Sequence, residues 1–118
     1  MGYLTTHILD TTKGIAAAGV KIQLFRHDSH GQKELIHSTI SNEDGRCDAP
    51  LLDKQDFVCG VYELEFAIEE YFLQQGVPLP SPSFLNIVNI RFGISNESSH
   101  YHIPLLVSPY SYSTYRGS

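Results

Sequence analysis

HYHIPLLVSPYSYSTYRGS, residues 100–118, decides how the rest of the chain is read. Its first half, HYHIPLLVS, has the alternation of a strand. Pro109 interrupts it, and YSYSTY reads as a second strand that turns straight back. In the first strand Tyr101, Ile103 and Leu105 fall on one face; His100, His102, Pro104 and Leu106 fall on the other. The Tyr/Ile/Leu set is the natural core face, so the histidine face must look outward, toward solvent or a partner. Most domains end in a disposable polar fringe. Here aromatic and hydroxyl residues run to within three residues of Ser118, and the end of the stretch is expected to be docked.

Upstream, the same period of two recurs. In LTTHILD (Leu4 to Asp10), Tyr3, Thr5, His7 and Leu9 share one face, and Leu4, Thr6 and Ile8 the other. TTKG (Thr11 to Gly14) is a turn in which Gly14 is free to adopt positive φ. VKIQLF (Val20 to Phe25) alternates cleanly, with Val20, Ile22 and Leu24 inward. Glu34 to Ile40 reads as its return strand, with Leu35 weakening the alternation. Ser41 to Gly45 is a turn cluster that delivers Arg46. Leu51 to Asp56 reads as an irregular connection. VYELEFAI (Val61 to Ile68) is a strand that sets Val61 and the glutamates against Tyr62, Leu64, Phe66 and Ile68. EEYFLQQ (Glu69 to Gln75) is a short helix stopped by Gly76. Pro78, Pro80 and Pro82 hold an extended loop, and NIVNIRFGI (Asn86 to Ile94) is a further strand. About seven strands, one short helix and a turn signal every eight to twelve residues or so describe an all-β antiparallel sandwich.

The chain has 118 residues, the size of one domain, read here as residues 1–118. A chain this small does not easily enclose a deep pocket, so an interface between subunits is a natural place for a site. The net charge of −5 argues against a nucleic-acid or anionic-membrane partner. There is no apolar run of about 18 residues and no signal-peptide pattern. Cys47 and Cys59 lack metal-type spacing and are expected to be free thiols in a reducing compartment. No phosphate loop, GxSxG elbow, HExxH or CxxC pair is present.

Six histidines are the one compositional hint of chemistry. His100 and His102 on one strand face resemble half a metal site, but zinc takes about three or four ligands. His7 is the only obvious third, so two exposed histidines are the simpler reading. His7, Arg46 after a tight turn and Arg116 near the end each have a bland reading as well; a terminal arginine is most often frayed.

Taken together, HILDTTKGIAAAGVKI (His7 to Ile22) and YHIPLLVSPYSYSTYRGS (Tyr101 to Ser118) resemble the two signatures of the transthyretin-like family, and specifically its hydrolase branch. One departure is Ala16, where the family has proline; it falls in a turn away from the signature side chains. The carrier branch has lysine, glutamate and threonine at the positions matching His7, Arg46 and His102. It also lacks the Tyr115-Arg116-Gly117-Ser118 ending.

The resemblance implies a transthyretin-like sandwich of two four-stranded antiparallel sheets with one short helix. It implies a homotetramer, a dimer of dimers, whose sites lie at the subunit interface in a channel. It implies hydrolysis of 5-hydroxyisourate, a lactam ring opening by water to 2-oxo-4-hydroxy-4-carboxy-5-ureidoimidazoline, in urate breakdown toward allantoin. His7, Arg46 and His102 are then the expected catalytic residues; one histidine, His7 in the first instance, activates water while His102 orients it or shuttles the proton, and the sequence leaves that order open. Arg46 suits the oxyanion, and Tyr115 and Ser118 are expected to line the substrate pocket with His7 and Arg46. No metal or other cofactor is expected, and neither cysteine is a nucleophile. A cytoplasmic location is expected, in the absence of a signal peptide or a terminal SKL-type address. The alternatives are a transthyretin-type ligand carrier without catalysis, a structural β-sandwich, and a metal-dependent hydrolase using His7, His100 and His102.

Overall fold

Alternating apolar and polar side chains assemble two sheets around one core in the computed structural model, which describes residues 2–117. The elements run β1 (Tyr3–Asp10), β2 (Ile15–Ala16), β3 (Lys21–His27), β4 (Lys33–Ile40), β5 (Leu52–Asp53), β6 (Gly60–Phe66), α1 (Ile68–Gln74), β7 (Val88–Ile94), β8 (Tyr101–Val107) and β9 (Tyr112–Thr114). One sheet has the order β2-β1-β8-β9, with β5 also pairing β1; the other is β4-β3-β6-β7. The sandwich is therefore the expected one, with three refinements. The first sheet has five strands because the connection at Leu51 to Asp56 contains β5, two residues too short to show a period. Ile68 opens the helix and does not extend β6. Finally, β1 and β8 run parallel, Leu4 opposite Tyr101 through Asp10 opposite Val107, in a sandwich otherwise paired antiparallel.

The faces follow the alternation. Leu4 and Ile8 of β1 and Tyr101, Ile103 and Leu105 of β8 are buried against Ile22, Leu24, Leu64, Phe66 and Ile90 of the second sheet. Each fully buried leucine or isoleucine contributes about 1.5–3 kcal/mol. Thr5, His7, His102 and Leu106 are half-buried on the opposite face of the first sheet. Pro104 lies on that face too but is buried. Among the described residues no helix is long and apolar enough to cross a membrane.

Two polar devices fix α1, one at its end and one to the first sheet. Gly76, at φ +79°, ends α1 in a Schellman motif: Val77 N–H donates to Phe72 O and Gly76 N–H to Leu73 O, both at 3.0 Å. Asp10 is fully buried. It accepts from the Tyr71 hydroxyl of α1 at 2.8 Å and from the Thr12 amide of its own turn at 2.9 Å. Burial first, and then the Asp10 carboxylate, raise the Tyr71 pKa and keep its proton in place.

Candidate active site

The outer face of the first sheet is where the residues nominated by the sequence meet. Thr5 pairs with His102 across the parallel ladder, and His7 lies two residues beyond Thr5 on the same face. On the far side of β1, His7 forms an antiparallel bridge with Arg46. On the far side of β8, His102 bridges Gly117, whose amide donates to the His102 carbonyl at 2.7 Å. Directly opposed residues project to the same side. Arg46, the β1 pair Thr5 and His7, His102 and the Tyr115–Gly117 segment thus form a row across the sheet. With strands about 4.8 Å apart and Arg46 two residues out of step with His102 along the ladder, their backbones are about 12 Å apart, so the two side chains must lean toward each other to share a substrate.

The turn carrying Arg46 is built by Asn42. Its Oδ1 accepts from the amides of Asp44 at 2.9 Å and Arg46 at 3.1 Å. Its own N–H donates to the Arg46 carbonyl at 2.7 Å. Gly45 adopts φ +75°, and a Cβ there would stand 2.4 Å from the Ile8 carbonyl oxygen. Gly45→Ala is therefore expected to cost on the order of 2 kcal/mol of stability and to lower turnover by displacing Arg46. Thermal denaturation checks it, and an unchanged melting temperature would show that the turn can move freely.

The histidines are held differently. His7 Nε2 lies 2.9 Å from the Asp44 carbonyl. A carbonyl only accepts, so Nε2 carries the hydrogen, and in the neutral ring the lone pair is on Nδ1. His102 Nδ1 lies 2.8 Å from Thr5 Oγ1. Burial pulls the His102 pKa below the ordinary imidazole value, and the charges of Arg46 and His7 push the same way. The shift favours the neutral ring near pH 7.

A cleft of about 560 Å³ opens on this face, lined by Tyr3, Thr5, Arg46, Cys47, His100 and His102 among others. A second hollow, of about 590 Å³, is lined by His102, Tyr115, Arg116 and Gly117. His102 is the member common to both. Arg46 and Tyr115 therefore stand on opposite sides of it, and His7 borders neither cavity. Ser118 lies outside the described residues. A larger hollow, of about 690 Å³, lies on the other sheet between residues such as Lys21, Ile40 and Glu69. None of the nominated residues lines it, and nothing in its walls matches the hydrolytic set.

Three further placements matter. His100 precedes β8 and does not belong to it, yet it lines the same cleft, its ring tilted against Tyr3 at 3.8 Å between ring centroids. Arg116 is not frayed: its guanidinium sits 4.0 Å over the Tyr101 ring and donates to the His100 carbonyl at 3.1 Å. Cys47 and Cys59 are free thiols, and burial, with the Asp48 charge, pushes the Cys47 pKa up to about 11. A thiol held protonated is a poor nucleophile. Among the described residues no three His, Cys, Asp or Glu side chains converge as metal ligands. Thr5 and Asn42 were not nominated by the sequence. Thr5 shares the His7 face and Asn42 belongs to a recognisable turn, but neither position advertises its partner.

Two packed sheets with a cation and two imidazoles on one outer face define a sandwich equipped for polar, acid–base work on a small molecule. The chain belongs to the HIUase/Transthyretin family, whose model matches residues 4–117. A 5-hydroxyisourate hydrolase of Pseudomonas aeruginosa is 54% identical over 118 residues, covering 100% of this chain and 93% of the relative. A solved structure of (S)-allantoin synthase superposes with a TM-score of 0.93 at 43% identity; the match covers 99% of this chain but 44% of that longer one. Transthyretin from Sparus aurata superposes with a TM-score of 0.88 at 29% identity over 99% of this chain and 97% of its own.

Proposed function

We propose that this chain hydrolyses 5-hydroxyisourate, opening its lactam ring by direct attack of water. The observation that carries this reading is the meeting of Arg46 and His102 in one cleft, with His7 in the same row. Opening an acyl C–N bond requires a proton acceptor for water, a donor for the developing oxyanion and a proton for the leaving nitrogen. Arg46 is permanently cationic and offers a rigid fork of donors to an oxygen-rich substrate and to the tetrahedral intermediate. His102 takes a proton from water in its neutral form. The same positive surroundings make the imidazolium short-lived, so the proton passes on to the leaving nitrogen. This gives His102 the shuttle and leaves the Nδ1 lone pair of His7 to receive a hydrogen bond from the attacking water and aim it. Tyr115 and Ser118 belong to the substrate-binding side of the same reading.

The division of the row into two shallow hollows supports an assembled site. We place the complete pocket between subunits of a homotetramer, where a second outer face covers the first. A transthyretin-type carrier would instead bind thyroxine tightly and leave 5-hydroxyisourate untouched. The deciding experiment generates 5-hydroxyisourate from urate with a urate-oxidising enzyme and follows its decay with and without this protein. Acceleration is the expected result, and an unchanged rate sinks the reading. Light scattering tests the assembly, a monomer being the contrary outcome.

A further inference from the structure

The His102 ring is gripped at the end nearest its backbone. Nδ1 meets Thr5 Oγ1 at 2.8 Å on the β1 side. On the β9 side the ring is flanked by Gly117, where there is no room for a side chain: a Cβ there would stand 3.0 Å from His102 Cδ2. Nδ1 and Cδ2 are both bonded to Cγ, so Nε2 and Cε1 are the atoms that point away from the strand. Among the described residues no hydrogen bond engages Nε2. The Thr5 bond at Nδ1 selects one orientation of the ring about χ2, a restraint that a histidine on an open strand face would not have.

The chemistry decides which way the Thr5 bond runs. If Nε2 takes up and returns the proton, Nδ1 carries hydrogen in both the neutral ring and the imidazolium. A hydroxyl that accepts from Nδ1 keeps its bond through the whole cycle; one that donates to Nδ1 would require the proton to move at the buried side of the ring. A hydroxyl can accept here without adding charge. A carboxylate in its place would favour the imidazolium and retain the proton. We propose that Thr5 is the positioning residue of His102, accepting the Nδ1 hydrogen and turning Nε2 outward as the atom that takes the proton from water. This rests on the hydrolytic reading of the site and adds to it a residue, an atom and a tautomer.

The test uses the full chain as wild type, Thr5→Val and Thr5→Ser, with valine nearly the same shape as threonine. Nitrogen-15 NMR of the His102 ring, above its titration, is expected to show hydrogen on Nδ1 and none on Nε2 in the wild type, and a mixture of tautomers in Thr5→Val. In steady-state hydrolysis Thr5→Val is expected to lower kcat on the order of tenfold to a hundredfold with little change in KM, and Thr5→Ser to restore most of it. A wild-type ring carrying its hydrogen on Nε2, a Thr5→Val kcat equal to wild type, or a Thr5→Ser variant as slow as Thr5→Val would each overturn the proposal. Should the wild type fail to hydrolyse 5-hydroxyisourate at all, the hydrolytic reading falls, while the NMR tautomer still decides the part given to Thr5.

Discussion

Arg46→Glu is expected to reduce hydrolysis of 5-hydroxyisourate by about a hundredfold or more, the usual consequence of removing an oxyanion donor, and to leave the melting temperature unchanged. The side chain is exposed, so the substitution removes no packing. The turn around it is held by Asn42 and by backbone bonds that do not involve the guanidinium. The effect has two parts. The donor fork disappears, and a carboxylate then faces the same developing negative charge. The pH profile separates these from simple misfolding. Arg46 now helps hold the His102 pKa down. Its replacement by an anion favours the imidazolium, so the acid limb of kcat/KM should move to higher pH. His102→Thr is expected to give a comparable loss without that shifted limb. Turnover within a few-fold of wild type in either variant would remove that residue from the mechanism.

The second large effect is on stability and lies on the other sheet. Glu63 → Gln and Glu63→Ala are expected to destabilise the fold, the alanine variant by about 2–3 kcal/mol. Glu63 points from β6 toward the solvent side of the four-stranded sheet, yet its side chain is only 8% exposed. Neighbouring strands cover it. His27 Nε2 of β3 donates to Oε1 at 2.9 Å, Asn89 of β7 donates to Oε2 at 2.9 Å, and Lys33 of β4 reaches Oε2 at 3.3 Å. Burial alone would raise the carboxyl pKa, but the bonds from Asn89, His27 and Lys33 prevail and bring it down to about 2.

The sign follows from that depression. The folded carboxyl titrates below its unfolded value of about 4.3, so its contribution is complete above that pH and is lost as pH falls toward 2. Acid unfolding should therefore steepen between these limits in the wild type and flatten in Glu63→Gln. Superimposable acid-unfolding curves for the two proteins would contradict the assignment. Melting should be compared at equal protein concentration, because assembly shifts the midpoint.

Much of this molecule is legible in its sequence because a period of two carries side-chain direction. It separates Tyr101, Ile103 and Leu105 from His102 and Leu106, and Leu4 and Ile8 from Thr5 and His7, as the structure has them. It says nothing of which strand lies beside which, so the parallel pairing of β1 with β8 was not visible. Thr5 shows the difference well. Its face could be read, but its partner is 97 residues away, and only the ladder brings them together. Alternation also misplaces Glu63. The pattern VYELEF puts it with the exposed set, and its burial comes from His27, Lys33 and Asn89 on three other strands. Family signatures at the two ends of the chain brought His7, Arg46 and His102 forward where spacing alone had left each of them bland.

The parallel pairing of β1 with β8 has a kinetic consequence. These are neighbours in the sheet but lie at opposite ends of the described chain, so joining them closes nearly the longest loop available. The entropy of that closure must be met before the ladder returns any stability. The other sheet, with β3-β4 and β6-β7 linked more locally, can form ahead of it. Loop closure alone thus makes the cleft floor the slower part to build, and a chain emerging from the ribosome has no place for substrate until β8 is free to find β1.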